Sequence, residues 1–256
     1  MPKVRADQLA VEQGLCESRT LAQRLIMAGQ IRTGPDAVVR KPGQLLSSET
    51  ILLLDQGRQY VSRGAFKLLA ALEHFQPDLK DAVALDLGAS TGGFTEVLLE
   101  RGAQKVYAVD VGYGQLHSRL RNDSRVISLE RTNARDLTPA IIPEPLDVLT
   151  GDVSFISLTK VLPPCAPLLK AGAWVFVLVK PQFEAERHEI GSGGVVRDEA
   201  VRRRCVEQIQ RFATDELGWT VCGDVPSPIK WPKGNQEYVA VFRAGGTPRL
   251  ATASMP

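Results

Sequence analysis

The feature that most constrains this chain is an alternation. From Val83 onward, short apolar runs of strand length take turns with helical stretches. The runs are Val83–Gly88, Lys105–Val111, Arg125–Leu129, Leu146–Gly151, Trp174–Lys180, Trp219–Val225 and Tyr238–Arg243. The helices fall near Thr95–Arg101, Gln115–Arg121, Leu158–Leu169 and Asp198–Leu217. Strands that are apolar on both faces are buried in a mostly parallel sheet with helices on either side. The expected class is therefore α/β, a doubly wound Rossmann-like sheet. The last two strands have only the loop Pro226–Glu237 between them, so they are expected to pair antiparallel.

The region before this alternation has another pattern. Asp7–Gln13 is a short helical stretch closed by Gly14. Ser18 is a good N-cap for a helix Arg19–Ala28, with Leu21, Leu25 and Ala28 as its stripe and Gly29 as its stop. Turns at Gly34-Pro35-Asp36 and Lys41-Pro42-Gly43 lead to a strand Ile51–Leu54. The polar stretch Asp55–Gln59 marks a boundary. The expected division is a small α+β unit over 1–57, a linker over 58–61, the α/β domain over 62–244 and a loose tail over 245–256. Ser62 is a candidate cap for a helix running to Phe75, with Ala65, Leu68, Leu69, Leu72 and Phe75 on one stripe. Lys67 falls almost opposite that stripe, and on position alone it is an exposed surface lysine.

Composition narrows the function classes. The 256 residues hold one α/β domain with an appendage, and 44% hydrophobic with 23% charged is ordinary for a soluble globular protein. The apolar run Ala173–Val179 is far too short to span a bilayer, and no apolar leader follows Met1, so a cytoplasmic protein without membrane insertion is expected. Cys16, Cys165, Cys205 and Cys222 are scattered without a C-x-x-C spacing and read as reduced thiols; no metal site is expected. The net charge of +2 does not announce a nucleic-acid binder. Its distribution is uneven, because residues 1–48 carry Lys3, Arg5, Arg19, Arg24, Arg32, Arg40 and Lys41 against Asp7, Glu12, Glu17 and Asp36. Arg202, Arg203 and Arg204 fan around their helix and read as a solvated surface.

The first strand of the alternation runs into Asp86-Leu87-Gly88-Ala89-Ser90-Thr91-Gly92-Gly93-Phe94. Glycines there let backbone approach a ligand at the carboxyl end of the strand. The next strand leads to Asp110 and Val111, and a carboxylate at that place can hold both ribose hydroxyls of an adenosine. A nicotinamide dinucleotide or S-adenosyl-L-methionine satisfies this much. Two details favour the methyl donor: the spacing G-x-S-x-G-G departs from the dinucleotide fingerprint, and Asp86 suits an ammonium and a sulfonium better than a pyrophosphate. Asp136, in Thr132-Asn133-Ala134-Arg135-Asp136, could accept from the adenine amino group or could equally be a turn residue.

The fourth and fifth strands end in Gly151-Asp152-Val153-Ser154-Phe155 and Val179-Lys180-Pro181-Gln182-Phe183, over the same crevice. Lys180 leaves a long apolar run, so it is either a snorkelling side chain or a functional one, and Asp152 has the same two readings. Glu184–Arg197 is a Gly-rich insertion, either a mobile lid or a surface loop.

At this point the motifs resemble a known family. Ser62-Arg63-Gly64-Ala65-Phe66-Lys67-Leu68, the glycine loop, Asp110-Val-Gly-Tyr-Gly-Gln-Leu, Glu130-Arg-Thr-Asn-Ala-Arg, Asp152-Val-Ser-Phe-Ile-Ser-Leu, Val179-Lys-Pro-Gln-Phe-Glu, Gly193-Gly-Val-Val and Gly234-Asn-Gln-Glu-Tyr are similar to those of the TlyA family. Its members carry the names haemolysin A and ribosomal RNA 2′-O-methyltransferase. The resemblance runs from about residue 3 to residue 243. It implies a class I methyltransferase domain similar to FtsJ (RrmJ), preceded by an S4-like RNA-binding domain. It implies S-adenosyl-L-methionine as cofactor, ribosomal RNA or ribosomal subunits as partner, and a cytidine 2′-hydroxyl as target. It also implies a Lys-Asp-Lys-Glu tetrad, carried by Lys67, Asp152, Lys180 and Glu237. The cofactor would meet Asp86, Gly88, Ala89, Ser90, Gly92, Gly93, Phe94, Asp110, Val111, Asn133, Ala134, Arg135, Asp136 and Asp152; RNA would meet Arg5, Arg19, Arg24, Arg32 and Arg63.

Chemistry gives the tetrad its roles. Lys180, if neutral, takes the hydroxyl proton; burial and a neighbouring Lys67 ammonium favour that neutral form, while Asp152 opposes it but fixes the lysine in place. Glu237 orients Lys67 and the ribose. The sulfonium already activates the methyl group, so no metal is called for. The rivals are a membrane-active haemolysin, a nicotinamide dehydrogenase and a non-catalytic RNA-binding protein. The first lacks an apolar span, a strongly amphipathic cationic helix and a leader; the second lacks its glycine pattern; the third leaves an intact tetrad unused.

Overall fold

The computed structural model describes residues 2–34, 37–54, 60–229 and 234–245. The chain divides into two units, Met1–Gln59 and Tyr60–Pro256. The expected boundary stretch Asp55–Gln59, the Pro35-Asp36 part of the turn and the tail from 246 onward lie outside the described residues.

The N-terminal unit runs β1 (Lys3–Arg5), α1 (Ala6–Glu12), α2 (Arg19–Met27), β2 (Ile31–Gly34), β3 (Ala37–Val38), β4 (Leu45–Ser47) and β5 (Leu53–Leu54). β1 pairs antiparallel with β4, and β2 lies between β3 and β5. Ser18 caps α2 by accepting from the Leu21 N–H at 3.2 Å. The buried face of α2 is Ala22 and Ile26, one residue on from the expected stripe; Leu21 and Ala28 are exposed. These two join Ala6, Leu9, Ala10, Ile31, Val39 and Leu52 in a small core. β1 and β4 were not legible in the sequence, because each is three residues long and half exposed.

The C-terminal unit opens with α3 (Ala65–Phe75), then β6 (Val83–Leu87), α4 (Gly93–Glu100), β7 (Lys105–Val109), α5 (Ser118–Arg121), β8 (Val126–Leu129), β9 (Leu146–Gly151), α6 (Leu158–Val161), β10 (Leu169–Val179), α7 (Pro181–Glu184), α8 (Glu199–Asp215), β11 (Thr220–Pro226) and β12 (Tyr238–Arg243). Seven strands form one sheet in the order β11-β12-β10-β9-β6-β7-β8, parallel from β10 to β8, with β12 antiparallel to both neighbours. This is the doubly wound α/β sheet expected. Alternate strand residues feed two cores on opposite faces, as a pleated strand requires. Leu85, Leu149 and Val177 pack with α6 and α8, whereas Ala84, Val148 and Phe176 pack with α3 and α4.

Two local expectations fail for clear reasons. A continuous helix Leu158–Leu169 does not form: α6 ends at Val161, and Pro163, Pro164 and Pro167 leave only a 3₁₀ turn, Ala166–Leu168, because proline lacks the N–H that a helix interior needs. Ser62 does not cap α3. That helix starts at Ala65, and the Ser62 hydroxyl accepts from the Gly64 N–H at 3.0 Å in the turn before it. The insertion Glu184–Arg197 is tied down: Asn235 donates to Gly194 O at 2.8 Å and accepts from the Val196 N–H at 2.9 Å.

Candidate active site

The order of the sheet reverses at the β6–β9 boundary, and the crevice at the carboxyl ends of these strands is where α/β sheets bind ligands. The glycine loop forms its floor. Gly88 adopts a left-handed backbone (φ 73°), and a Cβ there would lie 2.9 Å from the Asp152 carbonyl oxygen. Only glycine lets the exit of β9 pass so close over the loop. Ser90 is also left-handed (φ 49°), and its N–H donates to Asp110 Oδ2 at 2.8 Å, while the Gly112 N–H donates to Asp110 Oδ1 at 2.7 Å. The carboxylate is thereby fixed at the mouth of the crevice with acceptor capacity left over.

A cavity of about 420 Å³ opens here, lined among others by Gly88, Asp110, Val111, Asn133, Asp152 and Phe155. That size suits a nucleoside ligand. A smaller cavity of about 230 Å³ continues beyond it, past Ser62, Ala89, Gly93, Phe94 and Lys180. The donor set fits an adenosine-bearing cofactor: a fixed carboxylate for the ribose hydroxyls, exposed apolar Val111 for a base, and close-approach backbone at Gly88.

Not every expected cofactor residue reaches this cleft. Asp86 is buried, its carboxylate taken by the hydroxyls of Thr95 at 2.6 Å and Thr150 at 3.2 Å; burial pushes it up to about 6. Asp136 is exposed and does not line the cavity; Asn133 does, with Oδ1 accepting from the Arg135 N–H at 3.0 Å. Arg135 is exposed and lines a neighbouring pocket. Gly92 is occupied with packing, because a Cβ there would collide with Leu120 and Leu116.

The four tetrad side chains meet at the inner end of the crevice. Lys180 leaves β10 almost fully buried (2% exposed); its Nζ lies 2.5 Å from Asp152 Oδ1 and donates to Ser154 Oγ at 2.8 Å. Lys67 Nζ lies 3.1 Å from Asp152 Oδ2 and 2.8 Å from Glu237 Oε2. Both amines thus share one carboxylate. Burial pushes the Lys67 ammonium down, but Asp152 and Glu237 outweigh it and hold the pKa above the ordinary value. Burial likewise pushes Asp152 up, and the two lysines outweigh it, holding that carboxyl below its usual range. Lys67 is therefore not the exposed lysine that its helix position suggests, being only 8% exposed. The missed signal is Ala71, one turn on: it is fully buried, so the covered face of α3 is wider than its leucine stripe and takes in Lys67.

Just outside, Phe155 is the residue that the sequence did not single out. Its backbone is left-handed (φ 65°) and its ring is 85% exposed, a strained conformation for a large side chain that burial does not offset. The ring centroid lies 5.1 Å from that of Phe183. The two rings line a pocket of about 510 Å³ with Arg135, Ile156, Ser157 and Lys160. Ser154, Gln115 and Thr132 also line the crevice and were not singled out.

The profile of the FtsJ-like methyltransferase family matches residues 60–244, most of the chain. The chain belongs to that family. The FtsJ-like domain coincides with the unit that carries the crevice and the four side chains. Over 244 residues the chain is 49% identical to the 16S/23S rRNA (cytidine-2′-O)-methyltransferase TlyA of Mycobacterium tuberculosis, covering 94% of this chain and 90% of that protein. It is 40% identical to hemolysin A of Brachyspira hyodysenteriae, covering 93% and 99% of the two chains. A solved chain described as a hemolysin candidate from Streptococcus thermophilus superposes with a TM-score of 0.72 at 43% identity, covering 97% of this chain and 90% of that one. This FtsJ-like methyltransferase has no described helix long and apolar enough to cross a membrane, and no cluster of metal-ligating side chains among its described residues.

The candidate RNA residues are less uniform. Arg24 and Arg63 are exposed. Arg5 and Arg19 are each paired with Asp7. Arg32 is half-buried. On α8 the expected free arginine surface is partly spent: Arg203 forks onto Asp224 at 2.7 and 3.0 Å, and Arg204 pairs with Glu189.

Proposed function

We propose that this chain transfers the methyl group of S-adenosylmethionine to the 2′-hydroxyl of a cytidine in ribosomal RNA, within the cytoplasm. The observation that carries the reading is the convergence of Lys67, Asp152, Lys180 and Glu237 beside the Asp110 crevice. The activity named for the M. tuberculosis relative supports the substrate.

In this reading Asp110 would hold the cofactor's ribose hydroxyls, and Asn133 would help to line the same site. When bound, S-adenosylmethionine supplies a methyl group on a cationic sulfur. The rest falls to the chain's own residues. Lys67, kept protonated by two carboxylates, donates to the ribose and fixes its orientation. Lys180 takes the hydroxyl proton on Nζ, while Asp152 and Ser154 hold that amine in place. Holding two reactants in line accounts for much of the rate gain. The exposed Phe155 ring offers a stacking surface to a nucleobase drawn out of the RNA, and Arg135 and Lys160 offer charge to its phosphates. The N-terminal unit serves as an S4-like RNA-binding domain with Arg24 as a phosphate contact, and Arg63 of the C-terminal unit is a further one.

The test is transfer of labelled methyl from S-adenosylmethionine to isolated ribosomal subunits, followed by digestion to nucleosides. Label in 2′-O-methylcytidine is expected; label on a base, or in protein, overturns the reading. In equilibrium binding, S-adenosylhomocysteine should bind and NAD should not.

A further inference from the structure

Asp110 sits on one of two loops that leave neighbouring strands of the sheet, β7 and β8, and that are fastened to each other. The backbone makes the first ties: the Thr132 N–H donates to Asp110 O at 3.0 Å and the Arg131 N–H to Gly112 O at 2.9 Å. Glu130 adds a clasp from its side chain. Its Oε1 accepts from the Gln115 N–H at 3.1 Å, from the Leu116 N–H at 3.4 Å and from Arg121 Nη2 at 3.3 Å. A carboxylate just past the end of β8 thus fixes the turn that carries Gln115.

The Gln115 side chain is exposed, and it lines the cavity of about 420 Å³ together with Asp110. Its Oε1 accepts from the Ser90 hydroxyl of the glycine loop at 3.2 Å. Its Nε2 takes part in no hydrogen bond among the described residues. A Cβ on Gly112 would lie 2.1 Å from that Nε2 and 3.0 Å from Asp110 Oδ1, so the amide and the carboxylate stand side by side at the mouth of the cavity. Only glycine at 112 leaves the amide that place. The two groups are complementary towards a ribose. A hydroxyl both donates and accepts, whereas a carboxylate only accepts. Asp110 can take the hydroxyl hydrogens but leaves the hydroxyl oxygens without a donor, and the Gln115 amide has N–H groups to give.

We infer that Gln115 binds the ribose of the cofactor, its Nε2 donating to a hydroxyl oxygen whose hydrogen goes to Asp110, and that Glu130 is the positioning residue that holds Gln115 there. The inference rests on the methyl-donor reading above. It differs from a plain latch between loops, because a latch is indifferent to whether the ligand carries ribose hydroxyls.

The test is equilibrium binding of S-adenosylhomocysteine, and of its analogue lacking both ribose hydroxyls, to the full chain, with a melting curve for each variant. Gln115→Ala is expected to weaken S-adenosylhomocysteine roughly threefold to tenfold, the scale of one neutral hydrogen bond. The penalty is expected to vanish with the dideoxy analogue. Glu130→Ala should weaken S-adenosylhomocysteine at least as much, and adding Gln115→Ala to it should cost nothing further, because the two side chains act in series. Wild-type affinity of Gln115→Ala overturns the ribose contact, as does an equal loss for both ligands. Fully additive penalties overturn the positioning role of Glu130. Should Glu130→Ala melt below the assay temperature, Gln115→Ala decides alone, because its exposed side chain does not threaten the fold. If the wild-type chain does not bind S-adenosylhomocysteine, the methyl-donor reading itself falls. If it binds and the variants match it, only the Gln115 inference falls.

Discussion

In the C-terminal unit a carboxylate, Asp152, lies between two lysines; in the N-terminal unit a carboxylate, Asp7, lies between two arginines. Both acids are held below the usual carboxylate range, Asp152 by Lys180 and Lys67 against its burial, Asp7 first by the hydrogen bond from Arg5. The difference lies in the cations. Lysine can give up its proton and arginine cannot, so only the first arrangement can pass a proton. The lysine pair also has a second carboxylate, Glu237; among the described residues the arginine pair has none. One geometry thus allows proton transfer where the cations can titrate, and holds a fixed positive charge where they cannot.

The comparison breaks most visibly if the cation types are exchanged. Lys180→Arg preserves the pairing with Asp152 but removes the proton acceptor, so single-turnover methyl transfer should fall by about 10²- to 10⁴-fold with S-adenosylhomocysteine binding kept. Substantial turnover in that variant would place the acceptor elsewhere. Next in size is Asp152→Ala. It leaves two buried amines adjacent with one acid between them, and urea unfolding should show a loss of roughly 3 kcal/mol. An unchanged midpoint would mean that the amines do not depend on the shared carboxylate.

A third carboxylate sharpens the rule. Asp86 is buried like the others, but its partners are hydroxyls, so burial wins and raises it from 3.8 to about 6. A raised acid binds its proton more tightly in the folded state. Its stabilising contribution is complete below the unfolded pKa and is lost as the pH rises through the folded one. Asp86→Asn cannot ionise, so its stability should gain on the wild type by roughly 2–3 kcal/mol between about pH 4 and pH 7. A constant difference in melting temperature across that range would show that the buried acid does not titrate there.

The smallest expected effect concerns Phe155. Phe155→Gly relieves a left-handed backbone and removes an exposed ring, so stability should stay within about 1 kcal/mol of wild type. Transfer to RNA, by kcat/KM, should drop roughly tenfold through lost stacking. Equal transfer rates would remove the ring from the substrate site.

What the sequence revealed follows from periodicity and topology. The sheet was legible because strands buried on both faces are apolar throughout, and the crevice because strand ends and a glycine turn fix its place. Lys180 and Asp152 could be placed at that crevice from strand ends alone. Lys67 and Glu237 could not: a lysine opposite a leucine stripe looks exposed, and Glu237 follows a segment with no periodic signal. The resemblance to a known family singled them out, and the fold brings them within ion-pair distance. Asp86 turns to hydroxyls and Asp136 to solvent, because a carboxylate at a strand end can do either as readily as face a ligand. Phe155 was hidden because backbone conformation leaves no trace in composition. The Asp7 cluster was hidden because an acid within a basic region reads as diluted charge, not as a brace.

The most direct test of the central claim is chemical rescue of Lys180→Ala. With cofactor binding verified, the variant should transfer methyl to ribosomal RNA orders of magnitude more slowly than wild type, and small primary amines should restore part of the rate as the pH approaches their own pKa. Near-normal turnover by Lys180→Ala without any added amine would contradict the account.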